Sequence, residues 1–188
     1  PKALKRSNLS RSLAYARKIG LECYSNASVE VLNEWYFNCH VKRMNEISGK
    51  PWSLELIQAL VASGNCDLAF VRSADSLSII GGCLFLVSES MMELFMMSTP
   101  REFQNNGANY LLTEFLYLKA ARLGLKVVNW QASNPPVGSL VDFKKLWGAH
   151  EHDFAIFSRK GGGVMPSKNF LKEKLGDFFI YPYTNLNE

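Results

Sequence analysis

The sequence predicts an α/β fold with a mixed, mostly antiparallel sheet flanked by helices. The first third of the chain repeats its apolar residues at helical spacing. Three apolar, β-leaning runs follow at residues 67–72, 77–87 and 91–99, separated only by Ser-Ala-Asp and Ser-Glu-Ser turns, as in an antiparallel meander. Past Pro100 the pattern becomes helical again over residues 107–123 and leads to another strand at 126–131. A strand, a helix and a neighbouring parallel strand make a right-handed crossover.

Each element has a local cause. Over residues 9–19, Leu9, Leu13 and Ala16 share one side of a helix, and Gly20 stands where a left-handed cap is wanted. Residues 21–25 form a short extended piece. Ser28 is placed to cap a second helix carrying Leu32, Trp35, Tyr36 and Cys39, and Ser53 caps a third that Gly64 closes. Ala108, Leu111, Leu112 and Phe115 form the stripe of the crossover helix, with Gly124 as its stop. A helix over 139–147 and a strand over 152–158 complete the predicted order α-β-α-α-β-β-β-α-β-α-β, and three glycines at 161–163, a short helix and an aromatic tail finish the chain.

With 188 residues, 47% of them hydrophobic and 20% charged, the chain has the size of one domain, 1–188, with a basic lead-in helix at 1–20 and a tail at 160–188. A start at Pro1 fits a fragment or a processed product. The formal net charge is +4, yet Lys2, Lys5, Arg6, Arg11, Arg17 and Lys18 crowd into the first eighteen positions without an acid. Such a segment suits either phosphate contacts or a solvated helix face. Cys23, Cys39, Cys66 and Cys83 are far apart, which argues against a zinc site or a disulfide framework and fits free thiols in the cytoplasm. His150 and His152 flank Glu151 but lack a third partner at recognisable spacing, so no metal is expected. Cys39 beside His40 reads as a packed thiol. No apolar run reaches the roughly 20 residues that span a bilayer.

Two segments carry chemistry. Gln104, Asn105, Asn106, Gly107, Ala108 and Asn109 lie between a strand end and a helix start. There, unpaired N–H groups and the helix dipole favour a diphosphate, and small residues let a ligand approach the backbone. A turn with a small-residue cap would look the same. The second segment is Asn129-Trp130-Gln131-Ala132-Ser133, a Pro-Pro-Val-Gly turn, and Phe143-Lys144-Lys145-Leu146-Trp147-Gly148-Ala149.

The first segment resembles the Q/R-x-x-G-x-G/A loop of the GNAT acyltransferase superfamily, with Asn109 at the last small position. The second, with the basic helix from Leu4 to Gly20, resembles the second GNAT domain of the Fem-type branch, whose pattern reads D-F-G-x-S, a Gly/Pro loop, then F-K-x-x-(W/F)-G. Asn129 and Gln131 replace its aspartate and glycine. The resemblance covers residues 4–159 and implies an N-acyltransferase, most simply an N-acetyltransferase. It would use acyl-CoA (acetyl-CoA) as co-substrate and an amine of a small molecule or a sugar or cell-envelope precursor as acceptor. Aminoacyl-tRNA as donor, with tRNA as a partner, is the alternative, and a non-catalytic binding domain of this fold is the third reading. Fem-type proteins pair two such domains, so a homodimer would rebuild the pair.

The resemblance also places roles. Main-chain N–H groups of Phe95, Met96 and Met97 would polarise the thioester, and residues 104–109 would wrap the pyrophosphate. Lys144 would bind phosphate, stabilise developing charge or transfer a proton; its alternative is an exposed lysine beside Lys145. From the residues themselves, Glu93, Glu89 and Asp142 are candidate bases for the amine. Glu93 and Asn129 complete the catalytic set, and Trp130, Gln131 and Ser133 are expected to orient the acceptor.

Overall fold

The computed structural model describes residues 2–75, 77–133, 138–152, 167, 169, 170 and 173, with the side chains of residues 2–7 outside the description. Two compact units make up the chain: residues 1–47 with 51–131, and residues 48–50 with 132–188.

In the first unit, α1 (Lys2–Lys18) leads into β1 (Leu21–Ser25). A long helical stretch follows: α2 (Val29–Trp35), a π turn (Tyr36–Val41) and α3 (Lys42–Glu46). Ser28 caps α2 through the Val31 N–H, and Ser53 caps α4 (Leu54–Ala62) through the Leu56 N–H, as their positions predict. The π turn, where the ladder takes one extra residue, has no signature in the apolar spacing.

The meander is β2 (Cys66–Ser73), β3 (Ile79–Val87) and β4 (Met91–Ser98). A 3₁₀ turn (Arg101–Asn106), α5 (Ala108–Arg122) and β5 (Val127–Asn129) complete the five-stranded sheet, ordered β1-β2-β3-β4-β5. The first three pairings are antiparallel and β4·β5 is parallel, so the predicted mixed sheet and its crossover are present. β5 is shorter than the predicted 126–131. Asn129 accepts the Gln131 N–H in a tight turn, and Gln131 takes φ 60°, which breaks extended geometry.

Both faces of the central strands are covered, which explains their almost continuous burial. Leu68, Phe70 and Leu84 join Leu32, Trp35, Tyr36, Cys39 and Ile57 in one core cluster. On the other face the Lys119 ammonium of α5 lies 5.1 Å from the centroid of the Phe85 ring. Gly82 keeps β3 thin: a Cβ there would come within 2.6 Å of Trp35 Cδ1, so the indole lies directly on the strand.

In the second unit the described helix is α6 (Gly138–Leu146), one residue offset from the prediction. The predicted strand at 152–158 and the tail helix fall almost wholly outside the described residues.

Candidate functional site

The sheet is interrupted at β4. Leu84 pairs with Met96 and Phe85 with Leu94, so Phe95 is the extra residue of a β-bulge. A bulge twists its strand and re-aims the local backbone, and such features concentrate beside functional sites. On the other side, β5 pairs with β4 only over Met91–Glu93, ending at Glu93↔Asn129. From Leu94 to Ser98, β4 therefore has no strand partner on that edge among the described residues. Phe95, Met96 and Met97 lie within this stretch of β4, where successive backbone N–H groups face β3 and the open edge in turn.

Three predicted residues meet at the point of divergence. Gln131 donates its side-chain N–H to the Glu93 carboxylate, and its backbone N–H is 2.9 Å from Asn129 Oδ1. The left-handed backbone of Gln131 turns the chain immediately after β5. Trp130 Nε1 donates to Tyr117 Oη of α5 at 2.9 Å, which fixes the indole against that helix. Burial raises the Tyr117 pKa, so the hydroxyl stays protonated.

β4 ends in Ser98, followed by Thr99 and Pro100, both buried, and the chain enters the 3₁₀ turn and then α5. The loop holds itself together by side-chain bonds. Gln104 Nε2 donates to Thr99 O at 3.2 Å, Thr99 Oγ1 donates to Asn109 Oδ1 at 2.6 Å, and Asn106 Oδ1 accepts the Ala108 N–H at 3.0 Å. The first regular bond of α5 runs from Leu111 N–H to Gly107 O, so the N–H groups of Ala108, Asn109 and Tyr110 precede it.

Gly107 has a packing reason that sequence reasoning did not supply. Its φ is 85°, and a Cβ would stand 2.7 Å from Ser12 O and 2.9 Å from Ala16 Cβ. The glycine thus lets α1 lie against the loop, and Gly107 and Ala108 are both buried. Exposed Asn105 and part-exposed Gln104, Asn106 and Asn109 are the loop positions open to solvent.

In the second unit Lys144 and Ser133 are brought together, Nζ to Oγ at 2.7 Å. Burial lowers the Lys144 pKa by disfavouring the ammonium form. Neighbouring Lys145 instead pairs with Glu151 at 2.9 Å. The predicted packed thiol is found: Cys39 Sγ donates to Ile79 O at 3.4 Å, and burial pushes its pKa up to about 12.

No protein-family model and no curated protein matches the chain in sequence. Solved structures do match in shape. An aminoglycoside acetyltransferase from an uncultured soil metagenomic sample, in complex with sisomicin, superposes with a TM-score of 0.60 over 75% of this chain and 97% of its own at 16% identity. This chain has the GNAT acetyltransferase fold. A similar fold is found in glucosamine-6-phosphate N-acetyltransferase from Arabidopsis thaliana, with TM-score 0.54, 10% identity and coverage of 74% and 97%. AAC(6′)-Iy, in complex with the bisubstrate analog CoA-S-monomethyl-acetylneamine, gives 0.57, 15% identity and coverage of 75% and 98%.

Proposed function

We propose that this chain is an N-acyltransferase that moves an acyl group, most simply acetyl, from a coenzyme A thioester to an amine of a small molecule or a sugar or cell-envelope precursor. The observation that carries the reading is the bulge at Phe95 on a strand whose edge loses its partner after Glu93, followed directly by the loop that opens α5. A backbone N–H on that open edge suits the carbonyl oxygen of a thioester, where one such donor is worth roughly 10²- to 10³-fold in rate. Asn105 and the Asn109 N–H in the first turn of α5 suit the diphosphate, the Ala108 N–H being taken by Asn106.

The amine nitrogen attacks the thioester carbon, and the C–S bond then breaks to give an amide and the thiol of coenzyme A. Glu93, beside Gln131 at the divergence of β4 and β5, takes the proton from the amine directly or through water. Lys144 is proposed to supply a proton to the leaving thiolate, a role favoured by its lowered pKa. The Fem-type assignment rests on Phe143, Lys144, Trp147 and Gly148 and on the lead-in helix.

Thermal unfolding with and without coenzyme A and acetyl-CoA tests the donor. At 100 times its dissociation constant a ligand stabilises the fold by about 2.7 kcal/mol. Transfer is then assayed to sisomicin, glucosamine 6-phosphate and a short peptide with a free amino terminus. Stabilisation by either thioester-site ligand together with turnover of one amine supports the reading. No shift at saturating ligand overturns it and turns attention to charged tRNA or to a domain without catalysis.

A further inference from the structure

His40 is fully buried, and the mechanism above does not use it. It lies in the π turn, with its ring against Ser98 at the end of β4. Both ring nitrogens are engaged. Nε2 lies 3.3 Å from the Trp52 N–H and accepts from it, so in the neutral ring the proton is on Nδ1, which donates to Ser98 Oγ at 3.1 Å. The ring also stacks on Trp35 with centroids 5.5 Å apart, and Trp35 itself lies on Gly82, the partner of Ser98 across β3 and β4.

The π turn grips Trp52 a second time: Tyr36 Oη donates to Trp52 O at 2.8 Å. Trp52 lies in the connection between α3 and α4. Both of its backbone polar groups are thus held by side chains of one turn. Its indole then meets Phe95 edge to face, with centroids 5.3 Å apart at 86°. Phe95 is the bulged residue of β4, and Trp52 keeps 37% of its surface exposed.

We propose that His40 is a positioning residue for the transfer site: it fastens Trp52 to the end of β4 and so holds the indole on Phe95, as a wall beside the bulge against which the acceptor amine's carbon frame packs. The inference rests on β4 being the transfer strand. A histidine suits the task because one planar ring accepts from the loop and donates to the strand at once. An apolar residue in its place would leave the Trp52 N–H and the Ser98 hydroxyl without this partner, and truncation to alanine would also open a cavity.

Two substitutions separate the ring's two bonds. In His40→Gln the side-chain oxygen reaches the Nε2 position and keeps the Trp52 bond, while in His40→Asn the amide stays at the Nδ1 position and keeps only the Ser98 bond. The indole N–H signal of Trp52 in a nitrogen-15 correlation spectrum, assigned by its loss in Trp52→Phe, is followed together with amide exchange over residues 48–58. The Asn variant is expected to shift that signal and speed exchange at Trp52, whereas the Gln variant stays close to wild type. For whichever of the three amines is turned over, the Asn variant raises the amine KM on the order of tenfold with kcat and acetyl-CoA KM little changed, as loss of uniform binding requires; the Gln variant does not.

If both variants lose melting temperature alike and leave the Trp52 signal and the amine KM unchanged, His40 is only a satisfied core residue and the proposal is wrong. Unchanged amine KM despite a displaced indole also overturns it. Should the wild-type chain bind no coenzyme A and transfer no acyl group, the transfer reading fails by itself, and the indole and exchange data still decide whether His40 holds Trp52.

Discussion

Replacing Gly107 by alanine separates two reasons for a glycine at the head of α5. If the residue is there for ligand approach, Gly107→Ala weakens coenzyme A binding and leaves the apo fold intact. The structure argues otherwise, because the added methyl would lie 2.7 Å from a backbone oxygen and 2.9 Å from a methyl, both on α1. The left-handed backbone costs a Cβ about 1 kcal/mol, and forcing a methylene into a packed interface adds roughly 1–3 kcal/mol. Gly124 provides the control: its φ is 69°, but nothing lies within 4 Å of a Cβ there. Gly124→Ala therefore reports backbone strain alone, about 1 kcal/mol, and Gly107→Ala about 3 kcal/mol, a fall in Tm of roughly 6–12 °C for a chain of this size. Urea unfolding gives the difference, and limited proteolysis shows whether α1 has come away. Equal costs for the two variants, with α1 still protected and coenzyme A binding lost, would refute the packing argument.

Burial holds the His40 pKa down at about 4, against 6.5 for a free histidine. As pH falls from 6.5 towards 4 the unfolded chain takes a proton that the folded one refuses, so stability drops, by up to about 3 kcal/mol at the acid end. His40→Gln should lose this part of the acid slope in urea titrations; an unchanged slope would mean that His40 is protonated in the fold. Glu93→Gln is expected to lower kcat/KM by roughly 10²- to 10⁴-fold while leaving the coenzyme A thermal shift in place; retained activity would move the base to another acid. Lys144, with its pKa lowered by burial, should be acylated by an amine-reactive probe at mildly alkaline pH ahead of Lys145, which is paired with Glu151. Peptide mass spectrometry reads the order, and equal labelling would show that Lys144 is an ordinary solvated lysine.

Much of the fold was legible because it rests on local chemistry. Helical apolar spacing marked α1, α2 and α5; serines at 28 and 53 marked caps; and three apolar runs separated by short polar turns marked the meander. Periodicity is a property of neighbours in sequence, so it survives without knowledge of the partner. The C-terminal end of β5 was misjudged because an Asn side chain closing on its own backbone, two residues on, outweighs β-propensity.

The sequence by itself determined a helical lead, an antiparallel meander and a crossover helix opened by a glycine, and it named Glu93, Asn129 and Gln131 as candidates without bringing them together. Only the tertiary structure decided that Phe95 is a bulge, that β5 leaves β4 after Glu93, that Gly107 is buried against α1, and that His40 reaches Trp52 and Ser98. The physical reason is the same in each case. A bulge, a parting of strands, a close helix contact and a buried imidazole each depend on what lies opposite in space, across 9 to 95 positions of chain, and no local pattern of residues encodes the far partner.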